Sequence, residues 1–331
     1  MPAAVREVWA RALTAEYASL TRAGAPITVP VTPYLGIEDR TLDVSTGLTY
    51  PAKAERARRD PRVCLLYADP VGAGRADPAV VLVQGLASVR DSDLQANTDR
   101  YVRESARKLP AATAGVPGFV LRRMAWYFAR IWIEITPLHV RWWSNRDLED
   151  PPQHWHAPPG TAGPLSDPVP SGGPPPAWLA APTSWRAVAA DAADRLRLHD
   201  LTVVDHNGFP MCLPVTGTER IDDGFVVALG PGAPAFEGGR GCLTMHGHPE
   251  VFTGQENRTF VGHVTVEAGG DGIRARLAVD RALADWSVTG NRARSAVGFL
   301  RTGRLLAPRL GKEAARRLQP VPRITLPPHP S

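Results

Sequence analysis

The chain repeats itself. Residues 24–31 read Gly-Ala-Pro-Ile-Thr-Val-Pro-Val and residues 208–215 read Gly-Phe-Pro-Met-Cys-Leu-Pro-Val, both of the form G-x-P-x-x-x-P-V. Three further matches follow in the same order: Leu42–Gly47 with Phe225–Gly230, Arg62–Leu65 with Arg240–Leu243, and Gly85–Val89 with Gly262–Val266. Ordered matches of this kind mark one module present twice. The module is β-rich. Ile27, Val29 and Val31 alternate with Thr28, Pro30 and Thr32, the pattern of a strand with one buried face. The prolines in that strand place it at a sheet edge or a bulge. A length of 331 residues suits two such domains.

The copies are not equal. Between the first match and the last, the second copy is shorter by seven residues, and five of these are lost between Gly47 and Arg62. In the first copy that interval carries Lys53, Arg56, Arg58 and Arg59. Its counterpart, Pro231–Gly239, carries no cation. The chain has only two other lysines, Lys108 and Lys312, so Lys53 stands out against an Arg-rich background typical of a GC-rich genome. Pro51 at the start and Asp60-Pro61 at the end bound a short helix over 51–59. The first turn of a helix offers free N–H groups and a positive dipole end, and Lys53 and Arg56 are spaced to share a face, so the segment suits a phosphate clamp. The same pattern also suits a solvated basic helix between two strands.

Apolar spacing of Val5, Val8, Leu13, Tyr17 and Leu20 predicts a helix over 3–22. Strands are expected at 40–46, 62–68, 79–90 and 129–143, and helices at 91–108 and 117–128. The stretch 145–182, rich in Pro and Gly, reads as an irregular linker. A helix over 183–199 then leads into the second copy. The expected divisions are a first barrel at 1–144, the linker at 145–182, a degenerate second barrel at 183–290 and a basic tail at 291–331, helical to about Leu318.

A net charge of +5, from 38 basic and 33 acidic residues, is no nucleic-acid footprint. No apolar run approaches a membrane span. Three cysteines without C-x-x-C spacing, and no leader-like start, lead us to expect a reducing cytoplasm. There is no G-x-G-x-x-G after a strand and no Walker loop, which disfavours Rossmann dehydrogenases and nucleotide hydrolases. No metal site is expected. His246 and His248 share a strand face and could ligate a metal or haem, but with His263 they read first as ordinary groove and loop histidines. Tyr34 and Tyr50 are the reachable proton donors, with barrel-edge packing the commoner role for both. Trp142 and Trp143 either stack on a ring or pack against the second copy. Arg292, Arg294, Arg301 and Arg304 suit a solvated face of the tail helix.

The motifs Gly24-x-Pro26, Pro30-Val31, Thr46, Ala52-Lys53, Arg58-Arg-Asp-Pro-Arg-Val63 and Gly85-x-Ala87 resemble the pyridoxamine 5′-phosphate oxidase-like split β-barrel superfamily. The run A-K-x-x-R-x-R-R-D-P-R-V is most similar to its flavin/deazaflavin branch, which includes coenzyme F420-dependent reductases. The resemblance covers about residues 8–143, and reaches 200–280 only through the internal repeat. It implies a mainly β fold of two tandem split β-barrels with peripheral helices, packed as an intramolecular pseudo-dimer. It implies FMN or coenzyme F420 in the groove between barrels and hydride exchange with a small organic substrate. Transferred to this sequence, the cofactor contacts would be Pro30, Val31 and Thr32 beside the ring, Thr46 near it, and Lys53 and Arg56 on phosphate, with Arg58 and Arg59 as weaker candidates. One clamp implies one cofactor per chain. A monomeric pseudo-dimer is expected, with further dimerisation left open. The alternative is a flavin-, haem- or metabolite-binding sensor module without turnover.

Overall fold

The computed structural model describes residues 2–36, 40–74, 78–173, 184–267, 272–283 and 292–326, the side chains of 292–300 excepted. The first half runs α1 (Ala3–Arg11), β1 (Ala15–Leu20), β2 (Pro26–Val31), β3 (Tyr34–Leu35), β4 (Leu42–Gly47), α2 (Ala52–Arg59), β5 (Arg62–Tyr67), β6 (Val80–Arg90), α3 (Leu94–Lys108), two single-turn helices α4 (Gly118–Leu121) and α5 (Ala125–Phe128), and β7 (Arg130–Trp143). After β8 (Gln153–His156) comes α6 (Trp185–Arg195), then β9 (Leu198–Val204), β10 (Pro210–Pro214), β11 (Gly217–Ile221), β12 (Gly224–Leu229), β13 (Gly239–Gly247), β14 (Glu256–Glu267), β15 (Ile273–Ala282) and α7 (Arg292–Arg316).

The repeat is visible in the topology. The first sheet has the order β2-β1-β5-β6-β7-β4-β3, with β8 added on β7, and the second has β10-β9-β13-β14-β15-β12-β11. These are the same path, antiparallel throughout, and the fold is the tandem split barrel that the sequence resemblance implied. The proline-bearing strands β2 and β10 lie at sheet edges, where a missing N–H breaks no ladder. The edges are not left open. β2 packs on β9, β13 and β14, and β10 packs on β1, β5 and β6, so every contact has its mirror in the other half. This pairing buries apolar surface from both copies in one continuous core that joins Cys64, Leu66 and Leu82 to Cys212, Leu213 and Leu243.

One sequence expectation fails. The helix predicted over 3–22 ends at Arg11, and 15–20 is β1. All six β1 residues are buried, because one face meets the barrel interior and the other meets the second half. Polar residues at Glu16 and Ser19 are therefore inside, and the period-2 alternation that would mark a strand is hidden. Likewise α6 stops at Arg195, and His199 already belongs to β9.

The segment expected as an irregular linker contributes β8, paired on β7, and then runs without regular structure along β6. There Asp167 accepts from the N–H groups of Asp91 and Ser92, tying it to the entry of α3. Residues 174–182 of that segment, with most of its proline cluster, lie outside the described residues, as do the last five residues of the chain. The tail folds back on the first half. Leu310 and Ala314 of α7 join its core, and Arg317 meets Asp91 at 2.9 Å. Arg301 and Arg304 are exposed, whereas the side chains of Arg292 and Arg294 lie outside the described residues. Among the described residues no helix is long and apolar enough to cross a membrane.

Candidate functional site

Pairing of β4 with β7 sets Gly47 opposite Arg130, and the chain leaves β4 through a tight turn into α2. This places Lys53, on the first turn of α2, beside the start of β7. Between them opens a cavity of about 180 Å³. Pro30, Val31 and Thr32 from the end of β2 form one wall. Ser45, Gly47, Lys53, Tyr101 and Arg130 form the rest of the first half's contribution. The second half adds Gln255, whose Oε1 accepts from Thr14 at 2.7 Å. The cavity is thus walled by both halves.

Its charge is unbalanced. Among the described residues Lys53 has no ion-pair partner, and Arg130 pairs with no carboxylate. The Arg130 guanidinium stacks 3.9 Å above the Tyr101 ring and donates to the backbone carbonyl of Tyr127. Burial, and then the neighbouring Arg130 and Arg56, push the Lys53 amine down to about 7. Glu55, the acid nearest in sequence, is taken by Arg316 and Arg317 from α7. A cavity with two cations and no acid in its described wall suits an anion. The lining also includes the polar residues Thr32, Ser45 and Tyr101.

The other expected site residues fall elsewhere. Arg56 turns away from the cavity and donates through Nε to Ser19 Oγ at 2.9 Å, beneath β1. Its burial lowers its pKa, and it has no carboxylate partner among the described residues, so it adds positive potential from behind. The Thr46 hydroxyl donates to the carbonyl of Tyr50 at 2.7 Å and shapes the turn into α2. Arg58 is locked to Asp91 at 2.7 Å and to the carbonyl of Asp167, on the side facing the linker. Arg59 is exposed and reaches the carbonyl of Leu20. Tyr34 is buried in an aromatic cluster with Tyr101 and Trp132, outside the cavity wall. Trp143 takes the packing role, donating to the carbonyl of Gly232 across the interface at 3.1 Å. His246 is buried with Nε2 facing Glu16 and Asp200, His248 pairs with Asp69 at 3.2 Å, and His263 is exposed. Sequence reading missed Arg130, Tyr101, Ser45, Gly47 and Gln255, which reach the cavity only through strand pairing and packing.

The equivalent corner of the second half is filled. Gly230, the counterpart of Gly47, is covered by the segment after β7: a Cβ there would lie 1.7 Å from the carbonyl oxygen of Asp147. Gly232 donates to the carbonyl of Leu148 at 2.7 Å. Leu148, at φ 51°, is completely buried in the second half's core. Arg146 reaches inward to Asp200 at 2.9 Å. Outside this plug a second cavity of about 350 Å³ is lined by Arg141, His154 and a run of prolines. It holds no lysine, and its arginine already donates to Gln84 at 3.0 Å.

No protein-family model matches the chain, and no curated protein matches it in sequence. Solved structures resemble it in shape. An F420 reductase is 15% identical, over 42% of this chain and 98% of its own length, with a TM-score of 0.33. A pyridoxamine 5′-phosphate oxidase-related, FMN-binding protein from Nostoc punctiforme is 16% identical, over 44% of this chain and 87% of its own, with a TM-score of 0.30. A haem-binding protein from Mycobacterium smegmatis, 14% identical, aligns over 93% of this chain and 99% of its own, with a TM-score of 0.33.

Proposed function

We propose that the chain binds one molecule of FMN or coenzyme F420 by its phosphate in the first-half cavity, and is an oxidoreductase that exchanges hydride between that cofactor and a small organic substrate. The observation that carries this reading is the pair of cations, Lys53 and Arg130, that converge without a carboxylate in a cavity walled by both halves. The A-K-x-x-R run around Lys53 supports it from the sequence side.

In this reading the Lys53 ammonium and the Arg130 guanidinium hold the phosphate through charge-assisted hydrogen bonds. Arg130 is preset for this by its stacking on Tyr101. Arg316 and Arg317 neutralise Glu55, removing the one acid that would repel an anion at the first turn of α2. Gln255, fixed by Thr14, closes the cavity from the second half and helps to exclude water. Pro30, Val31 and Thr32 would back the ring through main-chain groups. When bound, the cofactor supplies the hydride chemistry, so the protein needs only to bind, orient and shield it.

The second half has lost the cationic segment and its corner is filled, and this favours a second reading, binding without turnover. Titration of the purified chain with FMN and, separately, with coenzyme F420 tests the site: one equivalent of one of them is expected to bind at micromolar concentration. If neither binds, the cofactor reading fails. If one binds but its reduced form transfers hydride to no acceptor in a panel of quinones and enones, the sensor reading replaces the enzyme.

A further inference from the structure

The repeat brings two carboxylates face to face. In β1, Glu16 lies opposite Pro30 of β2 and Leu66 of β5. In β9, Asp200 lies opposite Pro214 of β10 and Thr244 of β13. Pro30 and Pro214 occupy the same place in the repeat, so Glu16 and Asp200 are counterparts. A residue that meets its own counterpart lies on the pseudo-twofold axis, and these two do: one oxygen of each lies within 4.8 Å of the other. Both side chains are completely buried.

A third group points at the same spot. His246 Nε2 is 2.8 Å from Glu16 Oε1 and 3.2 Å from Asp200 Oδ2. Its counterpart in the first half is Ala68, which has no polar side chain, and Arg146 occupies that side instead, donating to the carbonyl of Ala68 at 3.1 Å and to Asp200 Oδ1 at 2.9 Å. The donors run short. Nε2 faces two carboxylate oxygens at once, Glu16 Oε1 at 2.8 Å and Asp200 Oδ2 at 3.2 Å, while Glu16 Oε2 and His246 Nδ1 have no hydrogen-bond partner among the described residues. A buried carboxylate without donors is costly. Three ligand-type atoms thus converge within 4.8 Å of one another, an arrangement that a cation at their centre would satisfy.

We propose that Glu16, Asp200 and His246 form a divalent-metal site on the pseudo-twofold axis, which binds an ion of the Zn²⁺ type and cross-links the two halves. Bonds of ~2.0–2.2 Å from a tetrahedral Zn²⁺ to one imidazole nitrogen and two carboxylate oxygens separate neighbouring ligand atoms by ~3.3–3.6 Å. The observed separations from Nε2 are 2.8 and 3.2 Å and all three atoms lie within 4.8 Å of one another, so the ion enters by side-chain adjustments of a few tenths of an ångström or more, with the strands kept in place. A mixed nitrogen and oxygen set suits a borderline ion better than a hard one. Arg146, holding the other oxygen of Asp200, orients that ligand from behind. The ion bridges β1 of one half to β9 and β13 of the other, and so acts on their association.

The full-length protein, treated with EDTA and dialysed, would be titrated with Zn²⁺ and with Co²⁺. One Zn²⁺ per chain is expected to survive dialysis and to raise the melting temperature. Co²⁺ is expected to give the visible bands of a site with fewer than six ligands. Glu16→Gln and His246→Gln should lose both signals while keeping the metal-free circular dichroism. The exposed imidazoles His154 and His156 are the competing binders, so the His154→Ala/His156→Ala double variant should retain full binding. The proposal is overturned if the wild type holds no Zn²⁺, if Glu16→Gln binds it as the wild type does, or if only the double variant loses it. Glu16→Gln, which keeps the side chain's shape, decides the matter even if His246→Gln does not fold.

Discussion

At Gly47 the first half leaves a hollow between Lys53 and Arg130, whereas at the counterpart, Gly230, the second half is filled by the chain itself. The two corners descend from one module and share a strand order, yet they resolve opposite demands. The first retains empty space and unpaired positive charge, both of which oppose folding. The second has lost its cationic helix and gained a plug. Leu148 completes an apolar core there, and Arg146 pairs with Asp200. Burying a leucine contributes ~1.5–3 kcal/mol, which offsets a left-handed backbone conformation of comparable cost. The two corners thus differ as a filled, apolar one and an open one that carries unpaired cations among the described residues.

The largest effect should come from emptying the plug. Leu148→Ala is expected to destabilise the chain by ~2–5 kcal/mol, the range for leucines in closed cores, read from denaturant unfolding. Cofactor stoichiometry should remain one per chain, because the second corner still lacks a lysine. Binding of two equivalents by this variant would mean that the plug alone, and not the lost helix, silences the second site.

Next in size is the clamp. Lys53→Ala removes a hydrogen bond to a charged group, worth ~1.5–3 kcal/mol, or a loss of ~10- to 150-fold in cofactor affinity. Arg59→Ala, on the same helix but exposed, should leave the affinity unchanged. Equal losses in the two variants would point to a diffuse basic surface in place of a site. The glycines give a paired test of similar scale. Gly230→Ala drives a Cβ into the Asp147 backbone and should cost ~1–3 kcal/mol of stability. Gly47→Ala meets only the movable end of Arg130 at 3.3 Å, so it should leave stability nearly intact and weaken binding instead. If both variants lose stability alike, the two corners are not as different as the geometry indicates.

Much of this was legible in the sequence, and what was not has physical causes. The duplication, the edge position of the proline strands and the loss of the cationic segment all followed from matching residues in register. β1 was misread because a strand buried on both faces shows no alternation. Lys53 and Arg56 ranked above Arg58 and Arg59, but their sequence spacing could not say where each side chain goes. Only the packing around α2 sends Lys53 to the cavity, Arg56 to Ser19 and Arg58 to Asp91. Arg130 lies far along the chain and meets Lys53 because β4 pairs with β7 in one particular register. The carboxylates at 16 and 200 carried a usable signal, since both sit opposite the second proline of the repeated motif, but without the fold nothing placed that position on an axis.

The smallest effect separates the corners by titration. Burial, with Arg130 and Arg56 alongside, holds the free Lys53 amine at about 7, well below its ordinary value. Below that pH the amine is charged and ready for an anion. Above it, binding must first return a proton to Nζ, so affinity falls as pH rises, by up to about tenfold per pH unit until the bound-state pKa is reached. The ligand does not confound this, because the second ionisation of an FMN phosphate, with a pKa of ~6, is nearly complete above pH ~7, and what remains of it below that strengthens binding as pH rises, the opposite sign. Dissociation constants measured from about pH 6.5 to about 9 should therefore rise for the wild type and stay level for Lys53→Arg, whose guanidinium remains charged throughout. The second corner has no lysine and should add no slope of its own. A level profile for the wild type would show that Lys53 keeps its proton without help, and that the charge imbalance distinguishing the two corners is already relieved before any ligand arrives.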